Sequence, residues 1–138
     1  MKEYMKYLII ILILFSTQAK SKSPEGKGLI CAFGEKSNVY ETYLFYKKKY
    51  ISKYIFLEKD IYKIRKNEKR NYFITKNFIS IKPFIINKKS LKIINTELNK
   101  IVGGCKIVSS HNKAIEFIHQ LKNIYQYKID KALGIISI

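Results

Sequence analysis

The sequence predicts an α+β domain: an antiparallel β-sheet or partly open small β-barrel of about six to eight short strands, with one C-terminal amphipathic helix. Three observations carry this expectation. From Gly28 to Val108 the chain alternates short segments rich in Ile, Val, Tyr and Phe with clusters of Lys, Asn, Ser and Gly, the pattern of strands and turns. From Ala114 the apolar period changes to that of a helix. The 138 residues are 47% hydrophobic, too apolar for a disordered chain and long enough for a single domain to bury a core.

Residues 1–19 read as a secretory signal peptide. Lys2 and Lys6 make a positive start, and Leu8–Phe15 is an apolar run within the range of an h-region and short of a membrane span. Thr17 and Ala19 stand at −3 and −1 of a peptidase site, and Ala19 with Ser21 offers a second cut. Cleavage and retention as an anchor both stay open. Residues 20–27 read as a flexible lead, and 28–138 as one β-rich domain.

The strands follow in order. Gly28–Phe33 is a compact apolar run suited to a central strand, and Val39–Tyr46 is rich in β-branched and aromatic residues. Lys47-Lys48-Lys49 turns the chain into Tyr50–Leu57. There Ile51, Ile55 and Leu57 fall on one face and Tyr50, Tyr54 and Phe56 on the other, so this strand is expected to be covered on both sides. Ile61–Ile64 is a further strand or a short irregular segment, and Arg65–Arg70 an exposed turn. Asn71–Thr75 and Phe78–Lys82 come next, with Pro83 ending the latter. Phe84–Ile86 and Leu91–Ile94 form a hairpin about Asn87–Ser90, and Gly103–Val108 is the last strand, with Cys105 near its start. The helix is expected at about 111–131. Ala114, Ile115, Phe117, Ile118, Leu121, Ile124 and Tyr125 form its stripe, Ser109 or Ser110 its N-cap, and Gly134 its end.

Export changes the reading of the two cysteines. In an oxidising compartment Cys31 and Cys105 are expected to bridge; no C-x-x-C spacing or adjacent His supports the alternative of a reactive or metal-binding thiol. Charge is the other strong signal: 27 basic residues against 10 acidic give +17. An AT-rich codon bias inflates lysine but should inflate the acids too, so the excess points to an anionic partner. Lys47, Lys48, Lys49, Lys66, Lys69 and Arg70 are the candidate anion-binding surface.

Catalytic patterns are weak. His111 and His119 stand eight apart, not at the i, i+4 spacing of a helical metal pair. Glu116-Phe117-Ile118-His119 matches Glu-x-x-His, but a di-iron bundle needs two such motifs. Ile101-Val102-Gly103-Gly104 resembles an activated trypsin-like N-terminus with too little chain after it for that fold. Glu41, Glu58, Asp60, Glu97 and Asp130 lie among lysines and read as surface charge balance. No cofactor is expected. Tyr and Lys interleave across Tyr43–Lys63 as in a single-strand nucleic-acid binder, yet tyrosine also favours strands and lysine guards strand edges, and export leads away from nucleic acid.

Gly28-Leu29-Ile30-Cys31 behind a signal peptide, Tyr43-Leu44-Phe45-Tyr46, Ile86-Asn87-Lys88-Lys89-Ser90-Leu91, and a second Cys before a terminal helix together resemble small uncharacterised exported proteins of AT-rich marine α-proteobacteria. The resemblance implies a β-rich fold and export, and no activity. The sequence therefore points to a non-enzymatic periplasmic or envelope protein with a basic surface. Its expected partner is an anionic envelope component (lipid headgroup or glycan) or another envelope protein. The alternatives are a complex subunit docking through the C-terminal helix, or a small periplasmic enzyme using His119 or Asp60.

Overall fold

The computed structural model describes residues 23–34 and 39–134; the expected signal peptide lies outside the described residues. In chain order the elements are β1 (Gly28–Phe33), β2 (Val39–Phe45), β3 (Lys49–Glu58), β4 (Ile61–Lys66), β5 (Arg70–Asn71), β6 (Phe73–Ile74), β7 (Phe78–Ile81), β8 (Phe84–Asn87), β9 (Lys92–Asn95), β10 (Lys100–Val108) and α1 (His111–Ala132). All pairings are antiparallel, in the order β4-β3-β2-β1-β10-β9-β8-β7-β6, with β5 beside β3. Two meanders, β1 to β4 and β6 to β10, are thus fused where β1 lies against β10. A single residue, Tyr72, joins β5 to β6 at opposite ends of that order. The sheet must therefore curl, and it forms a half-barrel closed by its own chain.

The α+β class holds, with ten strands among the described residues where six to eight were expected. The extra count comes from Ile61–Lys66, which is a full strand, and from the segment 65–75. Arg65 and Lys66 extend β4 and Arg70 belongs to β5, while Tyr72 splits the expected strand Asn71–Thr75 into two-residue pieces. Turn-like composition yields here because β3 is long enough to pair first with β4 and then with β5. Gly26 and Lys27, just before β1, are tied to the end of β2. Gly26 N–H donates to the Phe45 carbonyl at 2.9 Å, and Phe45 N–H donates to that of Lys27 at 3.1 Å.

Both faces of the central strands are buried. The inner face carries Leu29, Cys31, Tyr43, Phe45, Tyr50, Tyr72, Ile79, Ile81, Ile86 and Ile93 as one cluster. By strand alternation Ile30, Leu44 and Ile51, all buried, face the other way, where α1 seats Ala114 and Ile118. Tyr50 and Ile51 are 5% and 4% exposed, so the expectation of a strand covered on both faces is met there. Ser110 caps α1, its hydroxyl accepting the Lys113 N–H, and Gly134 takes the left-handed φ of 75° that ends it.

Cys31 and Cys105 sit directly opposite each other in the β1·β10 register and form the expected disulfide. The bridge crosses the seam between the meanders, so it clamps residues 74 apart at the strand pairing that joins the two halves of the sheet. At the helix's far end Gln126 covers the outer edge of β4. Its side chain accepts the Tyr62 N–H at 2.7 Å and donates to the Asp60 carbonyl at 3.0 Å, using backbone groups that would otherwise invite another strand.

Candidate functional site

The basic residues singled out from the sequence come from two separate turns, and the topology brings five of them to one corner. Lys47 and Lys48 form the β2–β3 turn, Lys48 with a φ of 62°, and Lys49 opens β3. Strand β5 returns beside them, placing Asn71 opposite Lys49 and Arg70 opposite Tyr50. The Tyr72 N–H donates to the Lys48 carbonyl at 3.3 Å, and its hydroxyl donates to the Tyr46 carbonyl at 2.7 Å. Lys69 lies over the Tyr46 ring, with Nζ 5.0 Å from its centroid, a distance at which the ammonium is drawn to the ring face. Lys66 stands further along β4 opposite Lys53, separated from the corner by Asn67, which bonds the Ser52 carbonyl and hydroxyl.

All six basic side chains are exposed, and none makes an ion pair with a described residue; the pair that does form, Lys63 with Glu58 at 3.6 Å, lies on the distal part of β3 and β4. The corner is thus positive and largely uncompensated. His111 packs beside it, its ring 4.6 Å from that of Tyr46. Nε2 donates to the Phe45 carbonyl at 2.7 Å, which fixes the helix start against the end of β2.

A feature the sequence reading missed lies alongside. The edge strand β6 leaves Phe73 and Ile74 59% and 37% exposed. Both share a cleft of about 540 Å³ with Lys47, Lys48 and Tyr72, and with Glu25 as the one acidic member. The available signal was Asn71–Thr75 itself, five residues with a β pattern too short to bury both sides.

A second cleft, of about 730 Å³, runs between the first turns of α1 and the outer faces of β1, β9 and β10. Ile30, Ala32 and Phe117 contribute apolar surface, and Lys92, Lys106 and Lys113 also line it.

The remaining candidates separate. His119 and Asp60 are exposed, on the helix and on the β3–β4 turn, and neither lines these clefts. Glu41 accepts the Tyr43 hydroxyl at 3.0 Å; burial first, and this carboxylate second, push that phenol well above its ordinary range. Among the described residues no group of three or more His, Cys, Asp or Glu could hold a metal. Tyr43 and Tyr50 are 4% and 5% exposed, so they pack the core and cannot stack on bases. No helix among the described residues is long and apolar enough to cross a membrane. No family model matches the chain, and neither does any curated protein or solved structure.

Proposed function

We propose that this is an exported, non-enzymatic envelope protein that binds an anionic envelope component, a lipid headgroup or a glycan, through Lys47, Lys48, Lys49, Lys66, Lys69 and Arg70. The observation that carries the reading is the convergence of two lysine-rich turns on one corner with no acidic partner within ion-pair distance among the described residues. Surface proteins with interspersed charge neutralise such clusters; one left uncompensated holds a positive field that an anion relieves. The disulfide supports export, since such bridges persist in oxidising compartments.

The test is salt-dependent binding. The protein should bind vesicles containing an anionic lipid, or a soluble polyanion, and lose that binding as added salt shortens the screening length from about 10 Å at 0.1 M to about 3 Å at 1 M. Binding that ignores salt, or that survives Lys47→Gln, Lys48→Gln and Lys49→Gln together, would defeat the proposal. Docking of α1 on another envelope protein is the second reading, favoured by Ile124, Tyr127 and Leu133, which are 51%, 46% and 53% exposed near the helix C-terminus. Ile124→Ser with Tyr127→Ser should then release whatever the tagged protein captures from its own envelope.

A further inference from the structure

The basic corner leaves open which anion it meets, and Phe73 and Ile74 narrow that choice. They are large apolar side chains on a two-residue edge strand, exposed to water and held by the chain on both sides. Before them Tyr72 is 6% exposed, its ring edge-on to Phe45 at 5.0 Å. After them the Phe78 N–H donates to the Thr75 hydroxyl at 3.0 Å, closing the turn into β7. The pair is therefore a fixed apolar edge rather than a fraying end, with Phe73 on the face of Ser80 and Ile74 on the opposite face, that of Ile79. Exposed Lys49, Lys69, Arg70 and Lys76 lie close in sequence or strand register, and Lys47 and Lys48 line the same cleft as the pair.

An apolar pair amid ammonium groups is the arrangement that an anionic bilayer rewards twice. The side chains enter the boundary between headgroups and acyl chains while the lysines stay at the phosphates. A glycan or other soluble polyanion would reward only the charges. A partner strand adding to β6 would gain little from so short an edge. We infer that the Phe73–Ile74 edge inserts into the surface of an anionic lipid bilayer, with the Lys47–Lys49 and Lys69–Arg70 turns holding the headgroups. This inference rests on the basic-corner reading, and it commits that reading to a membrane.

The chain contains no tryptophan, so Phe73→Trp introduces a single indole at that edge. Position 73 is exposed on an edge, and Ile74→Trp is the substitute reporter if the first variant fails to fold. On vesicles of phosphatidylcholine doped with phosphatidylglycerol, the emission should shift to the blue and become shielded from aqueous quenchers. Phe73→Ser with Ile74→Ser should weaken partitioning about tenfold while keeping its salt dependence and leaving heparin binding unchanged. Lys47→Gln, Lys48→Gln and Lys49→Gln should each weaken it about fivefold and make it less sensitive to salt. Salt-sensitive vesicle binding with no blue shift would overturn insertion and leave the basic corner standing, as would binding to heparin alone. Failure to bind either vesicles or heparin would remove both.

Discussion

The seat of the helix offers the sharpest test of how this fold is held. A Cβ built on Gly28 would lie 2.7 Å from the Ala114 Cβ and 3.0 Å from Val108 Cγ2, inside the contact distance of real methyl groups. Gly28→Ala therefore forces α1 off the sheet or twists β1, an overpacking cost of about 1–3 kcal/mol. Ala114 is wholly buried, so Ala114→Gly costs about 1 kcal/mol in helix propensity and nearly as much again for the lost methyl. Combined, the two changes move one methyl from helix to strand across the same contact. The contact with Ala114 disappears and the volume is refilled; Val108 Cγ2 has only to yield a few tenths of an ångström, and about 1 kcal/mol of helix propensity remains as the main cost. The sum of the single effects is about 4 kcal/mol, so the cycle should show a favourable coupling of about 2–3 kcal/mol. Urea denaturation of the four proteins, followed by far-ultraviolet circular dichroism, measures it. Additivity within about 0.5 kcal/mol would refute the claim that these two positions set the helix–sheet spacing.

Other substitutions probe separate parts of the fold. Cys31→Ala with Cys105→Ala opens a crosslink between residues 74 apart and should lower stability by about 4 kcal/mol on the chain-entropy account, read from denaturant midpoints of non-reduced protein. Neighbouring glycines should behave oppositely: Gly103→Ala drives a Cβ into the Ala32 carbonyl oxygen and should cost about 2 kcal/mol or more, whereas Gly104→Val meets nothing within 4 Å and should be neutral or stabilising in thermal melts. Thr42 is fully buried and its hydroxyl has no hydrogen-bond partner among the described residues, so Thr42→Val should raise stability by about 1 kcal/mol, and a loss of that size would mean the hydroxyl is satisfied. Tyr43 holds its proton more tightly folded than unfolded, so its contribution is complete below the ordinary phenol range near 10 and falls as pH rises above it, by about 1.4 kcal/mol per pH unit. Urea midpoints between pH 9 and 11 should fall less steeply for Tyr43→Phe; equal slopes would discard the assignment.

Much of the fold was legible along the chain because it rests on local patterns. The helix start at His111, the Ser110 cap and the glycine past its end follow from a hydroxyl, a 3.6-residue period and a residue tolerant of positive φ. The hairpin at Asn87–Ser90 was visible for a similar reason: the side-chain oxygen Oδ1 of Asn87 accepts the N–H groups of Lys89 and Ser90, as Asn does in turns. Alternating bulk on β3 announced cover on both faces, which holds at Tyr50 and Ile51, while the distal residues through Leu57 are progressively exposed. The segment 65–75 was less legible, because its charges and short apolar pieces acquire strand character only once β3 supplies a partner edge.

The site divides along the same line. By itself the sequence determined an excess of positive charge, the clusters that carry it, a β-rich body with one terminal helix, and a pair of cysteines suited to an oxidising compartment. Local chemistry suffices for these, since charge, period and thiol content are properties of neighbouring residues. Only the tertiary structure decided that Lys47–Lys49 and Lys69–Arg70 share a corner, that Phe73 and Ile74 emerge beside them, and that Cys31 stands opposite Cys105 at the seam. Those placements depend on strand register and on the curl imposed by Tyr72. Both arise from contacts between distant segments, which no single window of the chain contains.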